Sequence, residues 1–345
     1  MEAIVEWPEP VVRVQTLAGW DTIPDRYVKA PSERPDLTAT AAGLANSVIP
    51  VIDFASLAAG GATEAVRAAC RDWGFFQLVN HGIGSAAAAR RAWRDFFALP
   101  MEEKQRYANS PATFEGYGSR LGVAKGGLLD WGDYFFLHLS PPSHPAKWPS
   151  SPPQLREKTE EYCGAVGKVI EQVKRAISAA LGVEEGFMEA AFGAAGAAVR
   201  VNYYPKCPQP ELTLGLSPHS DPGGLTVLLP DEHVKGLQVR HAGEWITVDT
   251  VPGGLIVNIG DQIQVLTNGT FQSVEHRVIV NAAVDRLSIA YFHNPQDDLL
   301  IEPANELVTR AAPAKYKPMK YKDYKMQIRM QGPGGKSHVD LLRTT

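Results

Sequence analysis

Residues 199–230 read VRVNYYPKCPQPELTLGLSPHSDPGGLTVLLP, and this stretch decides the fold class. Short runs of aliphatic, aromatic and β-branched residues are broken by Pro, Gly, Asn and Asp, which is how strands separated by turns are written. The pattern continues as GLQVRHAGEWITV, GGLIVNIGDQIQVLTNG, QSVEHRVIVN, DRLSIAYF and LLIEP. Such a series of short β segments predicts an antiparallel sandwich or jelly roll.

Upstream the text is mixed. Strands are expected at 48–54 (VIPVIDF) and 75–80 (FFQLVN). A helix over 63–73 would be capped by Thr63 and carry Val66, Cys70 and Trp73 on one face; a second runs over 85–99 and stops at Pro100. The longest helix, Leu155–Leu181, has Tyr162, Val166, Val169, Val173, Ile177 and Leu181 as its apolar stripe. Between 107 and 140 glycine and aromatic residues dominate. There Gly116, Gly118 and Gly122 mark turns or a loop over a pocket. The expected organisation is an N-terminal arm with one short helix over 1–48, a mixed α/β region with the support helix over 49–190, and a jelly-roll core over 195–303. A C-terminal helix (320–330) and polar tail complete it over 304–345. The fold class is mainly β with a helical surround.

Composition excludes several classes. Of 345 residues, 44% are hydrophobic and 21% charged, enough to bury a sizeable core. The net charge of −4 and the lack of a Lys/Arg block argue against a nucleic-acid partner. Cys70, Cys163 and Cys207 are too sparse for a disulfide framework or a structural zinc site, which fits a reducing compartment. No run approaches the roughly 18 apolar residues of a membrane span, and the start MEAIVEWPEP is unlike a signal peptide. The expectation is a monomer in the cytoplasm, with the nucleus also open to it.

The chemistry sits at His219-Ser220-Asp221. Two residues apart at a strand edge, the imidazole and carboxylate share a face. His276 follows 55 residues after Asp221 (276 − 221), inside a β segment. Two histidines and one carboxylate form the facial triad that binds iron(II) and leaves positions for an oxoacid and dioxygen. His338-Val339-Asp340 repeats the spacing in the polar tail, with no third ligand after it. His81, His138, His144, His233, His241 and His293 are read as ordinary polar residues. Ten residues beyond His276, Arg286 and Ser288 share a strand face, a guanidinium fork and a hydroxyl suited to a buried carboxylate such as the far end of 2-oxoglutarate. Asn202 and Tyr204 also share a face and are candidates for the same pocket.

With these residues in place, the chain resembles the plant 2-oxoglutarate-dependent dioxygenases. HSD…H, RLS, VNYYPKCPQPELTLGLSPHSDPGGLTVLLP, VIPVIDF, WGFFQLVNHGI and FFALPMEEK carry the likeness over nearly the whole length. The resemblance implies a double-stranded β-helix core. It implies iron(II) on His219, Asp221 and His276, and 2-oxoglutarate on Arg286, Ser288, Tyr204 and Asn202. Dioxygen is the co-reactant, and ascorbate is expected to stimulate turnover. A narrower resemblance, to the jasmonate-induced oxygenases, rests on WPEPVVRVQTL, IPDRYVKAPSERP, FEGYGSRLGVAKGGLLDWGDYFFLHL and IRMQGPGGKSHVDLL; the linker HLSPPSHPAKWP is more compact than that group leads one to expect. It implies hydroxylation of jasmonic acid to 12-hydroxyjasmonic acid, which inactivates the hormone. A small apolar carboxylate needs a cation and an aromatic wall; Arg200 and Arg329 are candidates for the first, Phe136 and Phe292 for the second. Alternatives are the same chemistry on a gibberellin, an auxin or a flavonoid, and a non-catalytic hormone-binding cupin. A zinc hydrolase is disfavoured because no general-base Glu motif accompanies the ligands.

Overall fold

The described strands build two main sheets beside a short antiparallel pair, Leu300–Ile301 with Met319–Lys320. The computed structural model describes residues 11–37, 49–109, 114–119 and 127–344. Its strands are β1 (Val51–Asp53), β2 (Phe75–Val79), β3 (Gly116–Ser119), β4 (Asp133–Ser140), β5 (Gly196–Tyr204) and β6 (Leu216–His219), then β7 (Leu225–Leu229), β8 (Leu237–His241), β9 (Glu244–Thr247), β10 (Leu255–Ile259), β11 (His276–Val278) and β12 (Arg286–Asn294). The larger sheet has the order β1-β2-β10-β7-β12-β5-β4-β3, the smaller β6-β11-β8-β9. Apart from the parallel β1–β2 pair, neighbours in both sheets run antiparallel. The sheets meet through Phe75 and Ile256 on one side and Leu237 and Val239 on the other. This is the jelly roll that the turn-broken β text predicts. Strands from 49–190 hydrogen-bond into the same sheet as those from 195–303.

The helices cover the outer face of the larger sheet. Leu155–Leu181 buries Tyr162, Val166, Val169, Val173 and Ile177 in one cluster with Val199 and Val201 of β5 and Leu287 and Ile289 of β12. At roughly 1.5–3 kcal/mol per buried large apolar side chain, this stripe is what holds the helix on the sheet. No helix among the described residues is long and apolar enough to cross a membrane.

Several expectations change. The 63–73 helix is α-helical only over Thr63–Ala68 and continues as a π-turn over Ala69–Trp73. Thr63 does not cap it; Ala62 holds the cap position, and the Thr63 hydroxyl donates back to the Gly60 carbonyl. DQIQVL, read within a β run, is a helix, Asp261–Leu266. Its six residues make fewer than two turns, too short a span to show a helical period. The glycine-aromatic text contains β3 and β4, and Gly116 and Gly118 lie in a strand. Gly122, residue 48 and the arm residues 1–10 and 38–48 fall outside the described residues; the described part of the arm has three short 3-10 turns rather than one helix. The C-terminal helix is Tyr321–Gln331. After it, His338 is not in a solvated tail: it is buried, and its Nε2–H donates to the Gly332 carbonyl at 2.9 Å.

Candidate metal centre and its pocket

Register brings the three far-apart candidate ligands together. β6 and β11 pair antiparallel with His219 directly opposite His276. Asp221 follows β6 by two residues. Nε2 of His219 and Nε2 of His276 each lie 3.7 Å from Asp221 Oδ1, and the three ligand atoms lie within 4.8 Å of one another. That spacing lets one ion reach the carboxylate and either imidazole at ordinary ligand distances of about 2.0–2.2 Å.

The surroundings orient each ligand. Nδ1 of His219 is 2.9 Å from the Ser217 carbonyl, and Nδ1 of His276 is 3.1 Å from the Val274 carbonyl. A carbonyl only accepts, so Nδ1 carries the proton in both rings and the Nε2 lone pairs are left for a metal. Asp221 is clamped on its other oxygen: Thr226 Oγ1 donates to Oδ2 at 2.5 Å and Asn258 Nδ2 at 2.8 Å. Thr226 stands on β7 and Asn258 on β10, so the larger sheet fixes a carboxylate that belongs to the loop beside the smaller one. Burial opposes ionisation of Asp221, but the two imidazoles and these hydrogen bonds outweigh it and hold its carboxyl below the usual range. Burial, reinforced by His276, holds the His219 ring well below its ordinary value and therefore neutral, as a metal ligand must be. Phe75 packs edge-on to His276, ring centroids 5.3 Å apart, and closes that side.

Thr226 and Asn258 escaped the sequence reading. The signal for Asn258 is a polar residue within an otherwise apolar run, LIVNI, where it needs a partner.

Two facing strands build the next layer. β12 pairs with β5 so that Arg286 is opposite Tyr204, Ser288 opposite Asn202, Ala290 opposite Arg200 and Phe292 opposite Ala198. Because alternate residues share a face, these two rows line one cavity of about 870 Å³ with the metal centre in its wall. Arg286 is 3% exposed; its Nε donates to the Val234 carbonyl at 3.2 Å, and its Nη1 is buried with no hydrogen-bond partner. A buried guanidinium nitrogen without a partner is costly unless a ligand supplies the acceptor. It fits the distal carboxylate of an oxoacid whose other end reaches the metal. Gly236 makes room for it: a Cβ there would stand 2.9 Å from Arg286 Cδ and 2.9 Å from the Ile279 carbonyl oxygen. Burial pushes the Tyr204 phenol up, which keeps it a neutral donor.

Further out, Arg200, Arg329, Phe136 and Phe292 all line the same cavity. The Arg200 guanidinium lies over the Tyr134 ring at 4.2 Å, and that of Arg329 over the Phe114 ring at 4.6 Å. Neither has a carboxylate within ion-pair distance among the described residues.

A candidate metal triad, a buried arginine with one unpartnered nitrogen and a jelly roll around them are the parts of a non-haem iron oxygenase that uses an oxoacid. Residues 195–295 match the 2OG-Fe(II) oxygenase superfamily, and 49–157 match the N-terminal region of non-haem dioxygenases of the kind found in morphine synthesis. The chain belongs to the 2OG-Fe(II) oxygenase superfamily, and its cofactors are iron(II), 2-oxoglutarate and dioxygen. It is 52% identical to Jasmonate-induced oxygenase 4 of Arabidopsis thaliana, over 98% of this chain and 99% of that one. Its fold superposes on the crystal structure of JOX2 in complex with 2OG, Fe and JA with a TM-score of 0.92, at 51% identity, covering 99% of this chain and all of the other. The rice dioxygenase for auxin oxidation is a more distant match, with a TM-score of 0.72 at 32% identity, covering 86% of this chain and all of that one.

Proposed function

We propose that this oxygenase hydroxylates jasmonic acid at C12, with His219, Asp221 and His276 holding iron(II) and Arg286, Ser288, Tyr204 and Asn202 holding 2-oxoglutarate. The observation that carries the substrate reading is the pair of guanidiniums, Arg200 and Arg329, that face an aromatic-walled cavity without a carboxylate partner among the described residues. A small acid with an apolar tail supplies what that arrangement lacks. Four Arabidopsis thaliana relatives, at 50–53% identity, are named for jasmonate induction, and the JOX2 structure contains JA.

Bound iron, 2-oxoglutarate and dioxygen together supply oxidative decarboxylation of the oxoacid coupled to insertion of one oxygen atom into a C–H bond. The chain's own part is placement. Arg286 and Ser288 would hold the far carboxylate of the oxoacid. Arg200 and Arg329 grip the substrate carboxylate, and Phe136 and Phe292 bound the space where its chain runs. Regiochemistry follows from which carbon this grip leaves nearest the metal ligands.

Incubation with jasmonic acid, iron(II), 2-oxoglutarate and ascorbate is expected to give 12-hydroxyjasmonic acid and an equal amount of succinate by mass spectrometry. A clean product from a gibberellin, auxin or flavonoid and none from jasmonic acid overturns the substrate. Arg200→Ala and Arg329→Ala are each expected to raise the KM for jasmonic acid about 10- to 100-fold, the worth of one charge-assisted hydrogen bond. Substrate-independent consumption of 2-oxoglutarate should persist in both. Unaltered KM in both variants removes the carboxylate grip.

A further inference from the structure

Ser220 stands between two metal ligands, and its hydroxyl donates to Asp261 Oδ2 at 3.1 Å. The same oxygen accepts from the Tyr324 hydroxyl at 2.7 Å. The backbone N–H of Asp261 donates to the Asp221 carbonyl at 2.8 Å. One fully buried residue therefore touches the His219–Asp221 loop twice, once through its carboxylate and once through its backbone N–H, and its carboxylate touches the C-terminal helix Tyr321–Gln331 once. Five residues further along that helix, a rigid rise of about 7.5 Å, is Arg329.

The segment after the helix is tied to the same loop. The Gly335 N–H donates to the Pro218 carbonyl at 3.1 Å, and the Ser220 N–H donates to the Gly335 carbonyl at 3.3 Å. Gly335 has φ +58°, a left-handed conformation that favours glycine, and it lies against the Glu275 carboxylate. Lys336 Nζ is 3.8 Å from Asp261 Oδ1 and donates to Gln264 Oε1 at 2.9 Å and to the Ser273 carbonyl. Asp261 Oδ1 has no hydrogen bond of its own.

A fully buried, incompletely satisfied carboxylate is an expensive way to fasten a helix, since apolar packing does so without desolvating a charge. Tyr321, Val265, Val339 and Leu342 already supply that packing in the same region. The polar link adds a directional connection from the helix to the metal loop. We propose that Asp261 is a positioning residue that couples the substrate-gripping C-terminal helix to the metal ligands, through Tyr324 on one side and Ser220 on the other. When a substrate carboxylate draws Arg329 inward, Tyr324 moves with the helix, and Asp261 passes the displacement to the loop that carries His219 and Asp221. The inference rests on the reading of Arg329 as a substrate contact.

The test uses the full chain loaded with cobalt(II) and 2-oxoglutarate without oxygen. Jasmonic acid is titrated while calorimetry reads its binding and visible absorption reads the metal's ligand geometry. In the wild type, jasmonic acid should bind and shift the cobalt bands. In Tyr324→Phe and Asp261→Asn, binding should persist while the band shift shrinks. With iron and oxygen, the ratio of 2-oxoglutarate consumed to product formed should rise by about 5-fold or more, the low end of ordinary coupling between sites. Tyr316→Phe is the control: it removes the buried hydrogen bond from Gln264 to Tyr316, 3.0 Å, in the same cluster but outside the link, and should leave both readouts unchanged. If Asp261→Asn does not fold, Tyr324→Phe decides alone. Band shifts and coupling ratios equal to wild type in Tyr324→Phe, or lost equally in Tyr316→Phe, overturn the positioning role. A wild type that binds no jasmonic acid overturns the substrate reading first, and the coupling with it.

Discussion

Replacing Asp221 with alanine is expected to abolish succinate formation, a loss beyond about 10³-fold. Groups that merely orient a ligand are worth about 10- to 100-fold in metal affinity or activity, and Asp221 is a ligand candidate that two such groups serve. Removing it leaves Thr226 and Asn258 as buried donors without their acceptor and leaves His219 and His276 as a two-nitrogen site. Metal linkage gives an independent measure. A metal that binds only the folded state stabilises it by about 2.7 kcal/mol at a free concentration one hundred times its Kd. Wild-type protein should therefore melt higher when cobalt(II) is added and fall back with a chelator, while Asp221→Ala, His219→Ala and His276→Ala should show little response. Thr226→Val and Asn258→Leu should retain the response at about 10- to 100-fold more metal. Turnover or a full metal-induced rise in melting temperature in the three alanine variants would leave the centre without a basis.

Arg286→Ala is expected to raise the KM for 2-oxoglutarate by about 30-fold to more than 10³-fold, because truncating one partner of a buried charge pair costs about 2–5 kcal/mol or more. The effect should fall on the oxoacid and spare jasmonic acid affinity, since Arg286 and Arg200 stand at different depths along the paired strands. Arg286→Lys keeps the charge but loses the planar fork, so its KM should lie between wild type and alanine. Ser288→Ala removes one hydroxyl and should cost about 1 kcal/mol, roughly 5-fold. Steady-state rates against 2-oxoglutarate concentration read all three. A KM for 2-oxoglutarate that stays at the wild-type value in Arg286→Ala would mean that the oxoacid is held elsewhere in the cavity.

Much of this site was legible along the chain. Arg286 and Ser288 share a face by simple alternation, as do Arg200, Asn202 and Tyr204, whereas His219 and Asp221 were legible by their spacing, Asp221 lying in the loop just past β6. The period of two in a strand is local and survives in the text. The long helix Leu155–Leu181 was readable for the corresponding reason, because one face is apolar and the other wet. Asp261–Leu266 was not, because fewer than two turns inside a β-rich run are too short to show a helical period. β4 hid in aromatic text, as it is paired on both sides, with β3 and β5.

What the order of residues determined by itself was which chemical groups share a face of their own strand, and so which ligands and anchors this protein can offer. Tertiary structure alone decided which faces meet. It set His219 opposite His276 across β6 and β11, brought Thr226 and Asn258 onto the free oxygen of Asp221, and placed Tyr324 from the far end of the chain on Asp261. The physical reason is range: side-chain alternation is dictated by backbone geometry over two residues, whereas strand register and helix docking are settled by the packing of the whole core.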